Sequence, residues 1–133
     1  MEDKLARRIQ LFRETGQVRP EVAEFVSAEL ETLAAEGHPV SEASAGMLTS
    51  HLMMALTRLV NGASIDEFPA DDHIADELAD HPEAVERSRA VAVRAERTLG
   101  ATLPASEINF LALHLAVLAR QSPANGPERQ DTP

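Results

Sequence analysis

Cysteine is absent from the chain. That removes disulfides, thiolate catalysis and thiolate-held zinc together. Tryptophan and tyrosine are absent as well, and four phenylalanines bring the aromatic content to only 3%. A core must then be assembled from Leu, Ala, Val, Ile and Met, a palette that favours helices. The same scarcity withholds the stacking platforms on which single-stranded nucleic acid is bound. Basic charge is scarce too: 12 Lys and Arg stand against 22 Asp and Glu, a formal charge of −10. Residues 1–60 carry 6 basic and 9 acidic side chains, and residues 61–120 carry 5 and 11. The most basic stretch, "KLARR", is offset by Glu2, Asp3 and Glu14. Direct nucleic-acid binding therefore lacks an electrostatic footprint. No apolar run approaches the roughly 20 residues of a membrane helix, and "MEDKLARRIQ" is unlike a signal peptide. The expectation is a cytoplasmic protein that contacts neither membrane nor nucleic acid.

What is present is enough apolar material for one domain. The chain has 133 residues, 44% of them hydrophobic, which suits a single compact core. Leu5, Ile9 and Phe12 recur at helical spacing and predict a short amphipathic helix over residues 2–14, stopped near Gly16. Pro20 is placed to open a second helix, along which Val22, Phe25, Val26, Leu30 and Leu33 form a stripe up to Gly37. A third helix, capped at Ser41 or Ser44, carries Met47, Leu48, Leu52, Met54, Ala55, Leu56 and Leu59 around more than half its circumference. It should be central, and Asn61-Gly62 ends it. A short acidic helix capped at Asp71 or Asp72 closes before Pro82. A longer one with Val85, Ala92, Val93 and Leu99 stops at Gly100. "EINFLALHLAVLAR" is a last, nearly all-apolar helix with Ser106 as candidate N-cap. Period-two alternation is missing, so no strand is expected. The fold class is all-α: a compact bundle of about five to six helices. The expected division is an N-terminal helical extension at 1–18, a helical domain at 19–121 and a disordered tail at 122–133, where Pro, Gly and polar residues offer little to bury.

The chain has five histidines. His38 lies in a loop, and His73 and His81 flank the short acidic helix; all three read as surface residues. His51 and His114 differ, because each sits mid-way along a strongly apolar helix. Either they are core histidines with satisfied hydrogen bonds, or they do chemistry that needs shelter from water. Arg58 lies seven residues after His51, and Glu107 seven before His114. Seven residues turn a helix through roughly 700°, so each pair shares a face. An arginine near an imidazole disfavours its protonated form, and can grip a phosphoryl group on that ring. A structural Arg–Glu clamp is the alternative. Metal ligation is not expected, because His-x-x-x-His and His-Glu-x-x-His spacings are missing. Catalysis is poorly signalled: Ser50 adjoins His51 in sequence, yet adjacent helical residues point roughly 100° apart. No enzyme activity and no cofactor are expected.

The order of the short motifs resembles the PTS regulation domain, or PRD, of bacterial sugar-responsive antiterminators and transcription activators. The resemblance rests on His51, Leu52 and Arg58, then Pro82, then Leu103, Pro104 and Glu107, then Ala112, Leu113, His114 and Leu115, and it covers about residues 20–120. It implies an all-helical regulatory module that signals without catalysis. It also implies that His51 and His114 accept phosphoryl groups from a histidine phosphocarrier or permease subunit of the phosphotransferase system, with Arg58 and Glu107 in support. Phosphorylation in such modules shifts a dimer arrangement and so an effector; a homodimer is therefore expected here. Many members have an acidic residue before the first histidine, where this chain has Ser50. The chain has room for one module, which implies a single-module member acting on its effector in trans. The alternative is a non-phosphorylated structural or protein-interaction domain of the same fold.

Overall fold

The computed structural model describes residues 2–63 and 72–120, of which residues 72–75 are described in backbone only. The proposed tail lies outside the described residues, as do the side chains of His73 and of both cap candidates at 71 and 72. Among the described residues there are six helices: α1 (Asp3–Glu14), α2 (Pro20–Ala35), α3 (Glu42–Val60), α4 (Asp72–Ala79), α5 (Pro82–Leu99) and α6 (Ala105–Arg120). Among the described residues there is no strand.

Local chemistry sets the boundaries. Pro20 and Pro82 each occupy the first helical position, where a missing N–H costs nothing. Ser41 and Ser44 cap α3 together: the Ser44 backbone N–H donates to Ser41 Oγ at 3.1 Å, and Ser44 Oγ accepts from the Ser41 N–H at 2.9 Å. This is a capping box closed by two serines. Gly100 ends α5 at φ +71°, a left-handed conformation that a side chain disfavours. Ser106 does not cap α6. The helix begins one residue earlier, at Ala105, the Pro104 carbonyl takes the N–H groups of Glu107 and Ile108, and the Ser106 hydroxyl is buried without a hydrogen-bond partner.

α3 and α6 are the central helices. α3 packs on α1, α2 and α6, while α6 packs on α3, α4 and α5. Leu56 and Met53 of α3 and Leu118 of α6 are almost wholly buried. α1 joins the same core through Leu5 and Ile9, exposed by 0% and 4%. Burying two such side chains is worth roughly 3–6 kcal/mol of transfer free energy before the ordering cost of the helix. α5 is tied to α6 by Ser88, fully buried, whose Oγ donates to the Ile108 carbonyl at 2.6 Å. It is tied to α2 by Arg94, which donates through Nε and Nη2 to Glu29 at 2.7 Å each. Among the described residues no helix is long and apolar enough to cross a membrane.

Candidate functional site

The site forms where α3 meets α6. On α3, Met47, His51 and Met54 follow one another at spacings of four and three, so they share a face. On α6, Glu107, Phe110, His114 and Val117 do the same. Glu107 belongs to the first turn of α6 and is only 4% exposed. The helix crossing brings it to His51: the Nε2 to Oε1 distance is 2.6 Å. That is at the short end for an N–H···O bond, the direction in which a charged acceptor shifts it. A carboxylate only accepts, so this geometry selects the imidazole tautomer with its proton on Nε2 and leaves Nδ1 with the free lone pair.

Phe110 contacts both imidazoles. Its ring centroid is 4.3 Å from that of His51 and 4.4 Å from that of His114, both tilted. The two histidines thus belong to one site, on separate helices, sharing one phenyl ring. Both are partly buried. Burial holds the His114 ring below the usual histidine pKa, and the neighbouring His51 adds to this. His114 is therefore biased towards the neutral, nucleophilic form. Apolar side chains on the same helical faces are exposed: Met47 by 75% and Val117 by 45%.

Arg58 lies in the last turn of α3 and is exposed. The face it shares with His51 places it two turns further along. Glu107, the other residue expected in support, instead meets His51 across the helix crossing. Sequence reasoning missed Phe110, although its position between Glu107 and His114 on one helical face was a visible signal. It also missed Arg8. This arginine, on α1, donates through Nε to Glu42 at 2.9 Å and through Nη1 to Ser50 Oγ at 2.8 Å. Its Nη2 also meets Glu42. Hydrogen bonding to Glu42 raises the Arg8 pKa, and the same contact holds the Glu42 carboxyl below its ordinary range. Arg8, Glu42, Met47, Ser50, His51 and Met54 line an open pocket of about 660 Å³ between α1 and α3. Among the described residues no group of three or more His, Asp or Glu side chains could hold a metal ion.

The family model of the PRD domain matches residues 34–118, more than half of the chain. The chain belongs to the PRD domain family. No curated protein and no solved structure matches it. Membership makes this chain, in general terms, a regulatory module of the phosphotransferase system, in a family that regulates and does not catalyse. The PRD match takes in His51, Arg58, Glu107, Phe110 and His114, while α1, with Arg8, and most of α2 lie outside it.

Proposed function

We propose that this PRD domain is a phosphorylation-responsive module in which His51 and His114 accept phosphoryl groups, supplied by the phosphocarrier or a permease subunit of the phosphotransferase system. The observation that carries this reading is the shared site itself: two partly exposed imidazoles from α3 and α6 in contact with the same Phe110 ring. A core histidine needs only a satisfied hydrogen bond. Two rings held together at the surface, one oriented by a buried carboxylate and the other biased neutral by burial, are arranged for nucleophilic use.

The response follows from charge. A phosphoryl group brings roughly −1.5 to −2 charges at neutral pH. It would arrive beside Met47 and Met54, exposed by 75% and 40%. Exposed apolar side chains of this kind mark association surfaces. If two copies meet over this face about a twofold axis, each contributes its own histidines to the same seam. Charging the seam then disfavours that arrangement and selects another. The module is thereby a switch whose output is its own assembly and, through it, an effector in carbohydrate metabolism or transcription.

The test is incubation of the full chain with histidine-phosphorylated phosphocarrier. Acid-labile, base-stable label that is reduced by His51→Ala and by His114→Ala, together with a change in oligomeric state on labelling, is expected. If no label enters the wild-type chain, the module is an unmodified interaction domain.

A further inference from the structure

The site has a cation problem. A phosphoryl group on His51 would enter the pocket between α1 and α3, which Glu42 also lines. Glu107 is in hydrogen-bond contact with the same imidazole. The phosphorylated ring keeps its Nε2 proton, but that positive charge faces Glu107; the dianion on the other nitrogen, with Glu42 beside it, still calls for a positive partner of its own. His114 offers no cation to the incoming group, because burial biases its ring to the neutral form before the phosphoryl group arrives.

Arg8 lines that pocket together with His51. Its guanidinium is already oriented. Nε and Nη2 are committed to Glu42, whereas Nη1 extends to the hydroxyl of Ser50, the residue directly before His51. The bond from Nη1 to Ser50 is charge-to-neutral, and a doubly charged phosphoryl oxygen is a stronger acceptor than a hydroxyl. The planar fork lets Nη1 change acceptor while the other two nitrogens stay on Glu42.

We propose that Arg8 is the phosphoryl-binding residue for His51, with Ser50 holding its Nη1 in place until the phosphoryl group arrives. This rests on the phosphorylation reading given above and adds to it a residue from outside the part of the chain that matches the family. The Nδ1 lone pair of His51 attacks phosphorus as the phosphorus–nitrogen bond of the donor breaks. The leaving nitrogen takes the bonding pair, departing as ammonia from zwitterionic phosphoramidate or as a neutral imidazole from a donor ring protonated at its other nitrogen, and the Nε2 proton of His51 stays in the contact with Glu107. Arg8 gains an anionic acceptor and forms no covalent bond. A second consequence concerns α1: the phosphorylated ring becomes tied to this helix through Arg8, so the helix senses the modification directly.

The experiment uses the full chain and phosphoramidate, a donor small enough to need no docking surface. Phosphohistidine at His51 is followed by phosphorus NMR and by mass-spectrometric mapping. Arg8→Gln is expected to lower the rate of labelling at His51, or to shorten the lifetime of the product, by about tenfold or more, the scale of one charge-assisted contact. Glu42→Gln breaks the same α1–α3 ion pair but leaves the guanidinium in place. It is expected to label at least as well as wild type. Equal losses in Arg8→Gln and Glu42→Gln would mean that Arg8 only pins α1, and would overturn the proposal. So would an Arg8→Gln chain that labels like wild type. No label at His51 in the wild-type chain, with phosphoramidate and with phosphorylated phosphocarrier alike, overturns both this proposal and the phosphorylation reading beneath it.

Discussion

Removing His51 should hurt the fold more than neutralising Glu107, even though His51 is the more exposed of the two. The reason lies in what each change leaves behind. The Glu107 side chain is 3% exposed and that of His51 is 31% exposed. His51→Ala leaves a carboxylate walled off from water with its imidazole partner gone. Breaking a fully buried pair in this way costs about 3–5 kcal/mol. Because part of the imidazole already faces water, solvent can reach the vacated space, and the expected cost is about 2–4 kcal/mol. Glu107→Gln keeps the volume and keeps an oxygen that can accept from His51 Nε2. It exchanges a charged hydrogen bond for a neutral one, at a cost of about 1 kcal/mol.

The double variant separates the causes. His51→Ala also forfeits the ring contact with Phe110, worth about 0.5–1.5 kcal/mol. That loss occurs in either background and cancels in a double-mutant cycle. What does not cancel is the stranded charge. His51→Ala should therefore cost about 1–2 kcal/mol less in the Glu107→Gln background than in the wild type. Urea unfolding at neutral pH, followed by helical circular dichroism, measures all four corners of the cycle, with an unchanged denaturant slope as the check on two-state behaviour. If His51→Ala costs the same in both backgrounds, Glu107 bears no uncompensated charge when its partner leaves, and the electrostatic account of the pair is wrong.

Two further outcomes follow from the same geometry. The His114 ring should titrate below the ordinary histidine value, and Phe110→Ala, which lets water in, should move it back up. Because the fold binds this proton less readily than the unfolded chain does, His114 contributes stability that is complete above the unfolded-state pKa and lost as pH falls through the folded one; His114→Asn should flatten that part of the pH–stability curve, and an unchanged curve refutes the assignment. Ser88→Ala should cost about 0.5–1.5 kcal/mol, because it deletes one buried hydroxyl whose acceptor is the Ile108 carbonyl; a change in the denaturant slope would instead indicate that α5 and α6 had separated.

Most of the helical plan could be read directly from periodicity and punctuation. The positions of Leu5 and Ile9, of Val22 through Leu33, and of Pro20, Gly37 and Gly100 each carried a local physical reason, and local reasons act wherever the chain goes. The cap at Ser106 failed for a local reason as well. Pro104 presents its carbonyl to the first free N–H groups, so α6 starts before the serine can serve. The site was legible in half. Periodicity states which residues share a helical face, and it put Glu107 in line with His114 and Arg58 in line with His51. It does not state at what height two helices cross. The crossing sets Glu107 against His51 and leaves His114 stacked on Phe110. The contact from Arg8 to Ser50 spans 42 residues. No short-range pattern encodes such a contact, and the basic stretch around Arg8 read only as charge offset by its acidic neighbours.

The two histidines are not interchangeable, and their difference has a direction. His51 is tethered at Nε2 by a carboxylate and opens onto the pocket that Arg8 lines. His114 is held by burial and by the phenyl ring of Phe110. On the phosphorylation reading, a dianion on His51 would reverse the electrostatic influence that the protonated ring exerts on His114. A protonated His51 pushes the His114 pKa down; a phosphoryl group on His51 would pull it up, towards the protonated form that cannot attack phosphorus. Occupation of the first site would therefore weaken the second as an acceptor, through electrostatics between neighbouring rings. Such a module would favour a singly phosphorylated state over a doubly phosphorylated one, and Phe110, by fixing the spacing of the rings, would set how strongly.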